Sequence, residues 1–364
     1  MHWNWQKDDW PNFTYNTEFF RASEAEFLVL SGQMQGTLQH LSDEDQSQLR
    51  VELIAEESLL TSRIEGEDLD RDSIQSSIRR EFGLQHDSIH HKPYEEGISR
   101  MMMDVYFSWE EPLSNELLHR WHKKLLSETP QHEDAGAYRT HPEPIQVVSG
   151  ALYRPKVHFE APPSDSVPHE MDQFIAWFNQ AHHARTPEPL TLAAITHLWF
   201  ESVHPFPDGN GRVGRALVEY SLSKSLKKPA IISLSAAIEK ERKAYYDALE
   251  RANKHNEINH WIDYFVSTLL KAQQHSLATI EFVVKKGKFY QRYGGKFNER
   301  QRKVVARILK EGIEGFTGGL SASNYLSITQ TSPATATRDL NRLVEMGAFR
   351  KTGDKKSARY WLEL

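Results

Sequence analysis

Apolar residues recur at three- and four-residue spacing through most of this 364-residue chain, whereas strand-like alternation is confined to a few short stretches. The expected fold is therefore mainly α. Helical patterns cover about 72–81, 94–108, 114–127, 166–182, 190–203, 211–227, 239–254 and 257–282. Ser42 with Asp45 three residues on has the form of a capping box. The helix it opens, about 43–66, carries Leu49, Leu53, Leu60 and Ile64 at helical spacing, and Gly66 is placed to end it. Between Pro142 and Pro163, IQVVSG and YRPKVHF surround Gly150 and read as a hairpin or flap rather than part of a large sheet.

Charge divides the chain. Residues 285–364 hold 17 Lys and Arg against 7 Asp and Glu, while the whole chain holds 44 against 50 and has a net charge of -6. A basic tail on an acidic body points to two surfaces with different partners. The segment 285–297, rich in glycine and lysine, reads as a linker. After it come helical patterns over Glu299–Glu311, over Ser321–Ser327, and from the Ser332-Pro333 cap to about Met346. Two β-like runs then flank TGDKKSA, so this tail is expected to form a winged helix-turn-helix with Arg338 and Arg342 on one face of its recognition helix. The expected division is an N-terminal helical segment over 1–99, a core over 100–284 and the tail over 285–364. The absence of cysteine removes disulfides, thiolate nucleophiles and cysteine metal sites together. With no apolar signal region, no run long enough to span a bilayer and a mean hydropathy of -0.62, a soluble cytoplasmic protein without membrane contact is expected.

The chemistry concentrates in HPFPDGNGRVGR, residues 204–215. Pro205 and Pro207 alternate, which keeps His204 to Asp208 out of a helix or central strand. RVGRALVEYSLSKSL then reads as helix, so a stiff loop feeds a helix N-terminus, with Gly209 and Gly211 letting the backbone approach a ligand. Such a terminus offers unpaired N–H groups and partial positive charge to an anion. Arg212 and Arg215 lie on one face of its first turn, and two guanidiniums suit a polyphosphate better than a lone carboxylate. Asp208 with phosphate oxygens suits Mg²⁺, and His204 is a base for a hydroxyl proton. Gly209, Gly211 and Gly214 also spell GxGxxG, but HPFPD precedes them instead of a buried strand and no βαβ unit surrounds them, which excludes a dinucleotide fold.

HPFPDGNGRVGR fits all eight specified positions of HxFx[DE]GNGRxxR, and the chain thereby resembles the Fic family over about 100–280. The surrounding AGAYRT at 135–140, THLWFESV and IISLSAAIEKERKAYYDAL are similar to that family too. The resemblance implies a Fic-type helical core and a protein adenylyltransferase that moves AMP from ATP to a Tyr, Thr or Ser hydroxyl of a protein, itself included. In that role His204 is the base and Asp208 the Mg²⁺ ligand. Asn210 with the Gly209 and Gly211 backbone cradles phosphates, Arg212 and Arg215 neutralise them, and Phe206 anchors the loop. Either Tyr245 or Tyr246 lines the adenine pocket. The flap around Val147 to Val157 aligns a target by strand addition.

Thr61 to Gly66, TSRIEG, matches the family's inhibitory pattern [ST]xxxE[GN]. By resemblance Glu65 pairs with Arg215 and blocks productive ATP binding; the same glutamate can also position a water for deadenylylation, which stays open. A different class of reading also stays open: a DNA-binding transcription regulator with an ATP-sensing core. Relatives lead us to expect a homodimer. His90-His91 and His182-His183 read as surface residues, His197 as a core histidine, and Trp3, Trp5, Trp10 and Phe13 as a packing strip.

Overall fold

The computed structural model describes residues 2–84, 92–126, 134–149 and 156–364. Its helices are α1 (Arg21–Gln39), α2 (Asp43–Ile64), α3 (Arg71–Glu81), α4 (Pro93–Phe107), α5 (Asn115–Leu126), α6 (Val167–Ala184), α7 (Pro189–Val203) and α8 (Asn210–Leu226). They continue as α9 (Leu234–Lys240), α10 (Arg242–Ala252), α11 (Asn259–Tyr293), α12 (Glu299–Leu309), α13 (Ala322–Thr329) and α14 (Pro333–Glu345). Two antiparallel hairpins complete the chain, β1 (Gln146–Ser149) with β2 (Lys156–Glu160), and β3 (Phe349–Thr352) with β4 (Arg359–Leu362). Two compact units result, one of Met1–Gln35 with Arg50–Ser276 and one of Gly36–Leu49 with Leu277–Leu364. No described helix is long and apolar enough to cross a membrane.

In the first unit α7 is buried from Leu190 to Val203, with Thr191, Thr196, His197, Glu201 and Ser202 enclosed among its apolar residues. It packs along α8. One apolar layer, from α3 to α6, closes on the pair through Trp121, Phe174, Phe178 and Tyr220. The other, from α1 and α9 to α11, closes on it through Phe27, Tyr245, Trp261 and Phe265. Each such side chain, wholly buried, contributes about 1.5–3 kcal/mol relative to exposure. The loop between α7 and α8 is anchored through Phe206 in the first of these layers.

Helix α1 is absent from the sequence reading because its buried positions are few: Glu24, Phe27 and Ser31. Glu24 accepts the Leu190 and Thr191 N–H groups at 3.0 and 2.8 Å, capping α7 from a distant part of the chain. The pattern over 239–254 is two helices, broken at Glu241. The expected linker at 285–297 is a correction: α11 continues to Tyr293, since Phe289 and Tyr293 lie four apart and both enter the second unit's core. His182 is a second correction. It is half-buried against Phe178, with ring centroids 4.3 Å apart, and its imidazole is pushed down to about 4 by burial and by the Lys224 charge. His90-His91 and the flap tip around Gly150 lie outside the described residues.

The tryptophan strip packs as read. Trp10 and Phe13 sit edge-on to Trp199, while Trp3 meets Phe159 of β2 at 5.4 Å and Trp5 donates its indole N–H to the Glu160 carbonyl at 2.7 Å. In the second unit Asp339 of α14 accepts from Asn298, Arg300 and Tyr325, tying α12 and α13 to it around Val304, Leu320, Leu340 and Phe349.

Candidate active site

Three side chains shape the loop between α7 and α8. His204 ends α7 in the left-handed region at φ 50°. Asn210 then closes the loop on itself: its Oδ1 accepts the Phe206 N–H at 2.9 Å and its Nδ2 donates to the Phe206 carbonyl at 2.7 Å. Phe206 is wholly buried and stacks on His122 with ring centroids 4.0 Å apart. His122 Nδ1 accepts the Gly136 N–H at 2.9 Å, which leaves Nε2 to donate to the Asp208 carbonyl at 3.1 Å. Gly209, at φ 76°, turns the chain into α8 where a Cβ would lie 3.0 Å from Leu125 Cδ2. The first N–H groups of α8 have no intrahelical partner. The Asn210 side chain thus braces the loop through Phe206, with one N–H of its Nδ2 used in that bond.

Arg212 and Arg215 both hold carboxylates. Helix α2 ends in a Schellman cap, with Glu67 N–H on the Ser62 carbonyl, Gly66 N–H on the Arg63 carbonyl, and Gly66 at φ 89°. That single turn brings two carboxylates to α8. Glu65 Oε1 accepts from Arg215 Nη2 at 2.7 Å, and Glu67 accepts from Arg212 Nη1 with both oxygens, at 2.7 and 2.9 Å. Thr61 completes the grip on Arg215, taking Nε on its hydroxyl at 2.7 Å and Nη2 on its carbonyl at 3.0 Å. Both arginines are almost wholly buried. Burial pulls the Arg215 guanidinium down, but Glu65, with Tyr245 and Glu201 around it, lifts it above the ordinary arginine range. A Cβ at Gly211 would stand 2.3 Å from Glu65 Oε1, so glycine there keeps open the space beside the helix terminus that the carboxylate fills.

His204 is held neutral. Burial and the charge of Arg139 push its imidazole down to about 4, against the opposing pull of the Glu201 carbonyl, Glu65 and Asp208. Glu201 Oε2 lies 3.8 Å from Nδ1, and burial pushes that carboxyl up to about 8. Its other oxygen sits 2.4 Å from where a Gly214 Cβ would be, so the third glycine of the segment makes room for Glu201. His197 is a core histidine, its Nε2 2.8 Å from the Tyr245 hydroxyl. Tyr245 is therefore occupied in the core, and Tyr246, 38% exposed with the Arg242 guanidinium 6.0 Å from its ring centre, is the aromatic left facing solvent.

Residues 112–222 match the Fic/DOC family, and residues 3–84 match a domain of unknown function, DUF4172. Residues 112–222 form a Fic/DOC family domain. Its fold is similar to a Fic family protein from Desulfovibrio desulfuricans G20, with a TM-score of 0.56 and 19% identity over 97% of this chain and 98% of that one. It is also similar to a Fic domain containing signaling protein from Bacteroides thetaiotaomicron, with a TM-score of 0.51 and 18% identity over 73% and 98%. Over 84 residues it is 36% identical to the protein adenylyltransferase Fic of Drosophila melanogaster and of Drosophila sechellia. That stretch is 23% of this chain and spans 16% of the length of those relatives.

Within the Fic domain, Asp208 is the residue suited to a divalent cation. Its side chain is half exposed, with Oδ1 on the Gly209 N–H at 2.7 Å and Oδ2 3.4 Å from Arg212 Nη2. No cluster of three metal-ligating side chains occurs among the described residues. One hard carboxylate at a helix terminus fits Mg²⁺ shared with phosphate oxygens, and does not fit a cation caged by protein alone. Sequence reasoning missed Glu67, Arg139, Glu201 and His122. The AGAYRT arginine and the second acid in TSRIEGE are the signals that point to the first two.

Proposed function

We propose that the chain is a protein adenylyltransferase that transfers AMP from ATP to a protein hydroxyl and is autoinhibited by its own α2 cap. The observation that carries the reading is the exchange of ligands it invites: two buried guanidiniums, at a helix N-terminus, hold carboxylate oxygens where phosphate oxygens would bond as well. His204 takes the proton of a Tyr, Thr or Ser hydroxyl, and that oxygen forms a bond to the α-phosphorus. The bond from the α-phosphorus to the bridging oxygen breaks, and pyrophosphate leaves against Arg212 and Arg215. The Gly209 and Gly211 backbone lines the phosphates, and Tyr246 offers its ring to the adenine. Asp208 would hold Mg²⁺, which supplies charge neutralisation on the phosphates. Positioning and charge carry most of such a transfer.

Glu65 on Arg215 keeps the outer phosphates from their clamp, and Glu67 on Arg212 does the same for the second arginine. Intact-mass spectrometry of wild type and Glu65→Gly after incubation with Mg²⁺ and ATP tests the reading. A gain of one AMP in the variant, and less in wild type, is the expected result; no added mass in either, with nucleotide bound, overturns it.

A second reading belongs to the second unit and can coexist with the first. Helix α14 turns Ala336, Asp339, Leu340 and Leu343 inward and leaves Thr337, Arg338, Asn341 and Arg342 exposed, which are residue types that bond base edges and phosphates. With the excess of basic residues over 285–364, this supports DNA as a partner of the tail. DNA affinity is expected to fall steeply with salt, and Arg338→Ala with Arg342→Ala to flatten that slope by about one to two. Binding indifferent to salt would count against DNA.

A further inference from the structure

We propose that Arg139 is the positioning residue for His204, a group that touches no reacting atom but sets the backbone of the residue that does. The inference rests on the transferase reading only for its kinetic half. Arg139 is 2% exposed, and no carboxylate pairs with it among the described residues. All its bonds are to neutral acceptors instead. Nε donates to the His204 carbonyl at 2.8 Å, Nη2 to the Val203 carbonyl at 3.2 Å and the Pro162 carbonyl at 2.6 Å, and Nη1 to the Ser164 hydroxyl at 2.9 Å. Its own N–H donates to the Pro205 carbonyl at 3.0 Å.

Val203 and His204 carry carbonyls from the end of α7, the negative end of a long buried helix. That explains how a buried cation sits here without a counter-charge: it completes carbonyls that a helix end leaves unbonded. It also explains His204. A non-glycine residue in the left-handed region persists only where its surroundings over-determine it, and here the carbonyls of three consecutive residues, 203 to 205, are bonded by one side chain and its own backbone. Pro162 and Ser164 follow β2, so the same guanidinium fastens the chain leaving the flap to the histidine that would take the target's proton.

The charge acts in the same direction. The groups facing His204 are Glu201, Glu65 and Asp208, which favour the imidazolium, and Arg139, which with burial disfavours it. Removing the Arg139 charge therefore makes His204 easier to protonate.

The test uses the full chain in the Glu65→Gly background, with Arg139→Lys and Arg139→Gln, each normalised to the fraction that binds ADP and Mg²⁺. Both variants are expected to lose roughly ten- to a hundredfold in kcat with KM for ATP little changed, the scale of a misplaced reacting group. The acid limb of the pH profile should move upward in Arg139→Gln and stay in place in Arg139→Lys. Carbon-13 histidine resonances, with His204→Ala to assign the signal, read the same titration without turnover. If Glu65→Gly transfers nothing, the transferase reading falls and the resonance alone decides the electrostatic claim. A kcat within twofold of the parent in both variants overturns the inference, as does a His204 titration unmoved in Arg139→Gln.

Discussion

Replacing His204 with alanine is expected to slow AMP transfer by about a thousandfold while nucleotide binding survives. General-base removal costs about 10²–10⁴ in rate, and none of the phosphate contacts assigned to Gly209, Gly211, Arg212 and Arg215 uses the imidazole. The loss should therefore appear in kcat with KM for ATP little altered. The pH dependence follows from the same residue. An exposed histidine would lose base function as pH falls through about 6.5. His204 is pushed down to about 4, first by burial and then by Arg139, so it stays unprotonated throughout the physiological range. The acid limb of kcat should accordingly lie well below 6.5, and a limb centred at 6.5 would show that His204 is not the titrating base. A His204→Ala chain that labels itself as fast as its parent would end the assignment altogether.

The second large effect concerns the α2 cap. Glu65→Gly is expected to raise AMP incorporation by about ten- to a hundredfold, the worth of one charge-assisted hydrogen bond to a buried guanidinium. Glu67→Gln should add to it, because Arg212 is held independently of Arg215, by a different carboxylate. A double-mutant cycle separates the two: additive gains mean two separate locks, and no gain from Glu67→Gln in the Glu65→Gly chain means one. Freeing a buried guanidinium also has a cost. Without ligand, Glu65→Gly should melt at lower temperature than wild type, and ATP with Mg²⁺ should restore more of that loss than it gives wild type. Equal ligand-induced shifts in both chains would show that the carboxylate and the nucleotide do not compete.

How much of this was legible without coordinates depended on how local each interaction is. The helix over 72–81 follows from the i,i+4 spacing of Ile74 and Ile78, and that over 190–203 from its high apolar content. So does the loop at 204–208, where two prolines forbid helix. Helix α1 was not legible, since its anchoring contact is Glu24 reaching the N–H groups of α7 166 residues away, and a buried carboxylate leaves no apolar period to read. The linker expected over 285–297 failed for the opposite reason: glycine and lysine composition outweighed the four-residue spacing of Phe289 and Tyr293. In the site, the motif marks Asn210 as a phosphate ligand, whereas its bonds to the Phe206 backbone four residues back are visible only in the structure.

By itself the order of residues determined that this chain is helical, that a stiff loop opens a helix at about residue 211, and that an imidazole, a carboxylate and two guanidiniums stand within one short segment. These are consequences of local sterics and of periodicity, which neighbours in sequence dictate. Tertiary structure alone decided which partners those groups have: Glu67 on Arg212, Arg139 beneath His204, Glu201 in the slot left by Gly214. Such pairings join residues from 13 to 145 positions apart, and their strength comes from removal from water, a property that packing creates and no local pattern encodes.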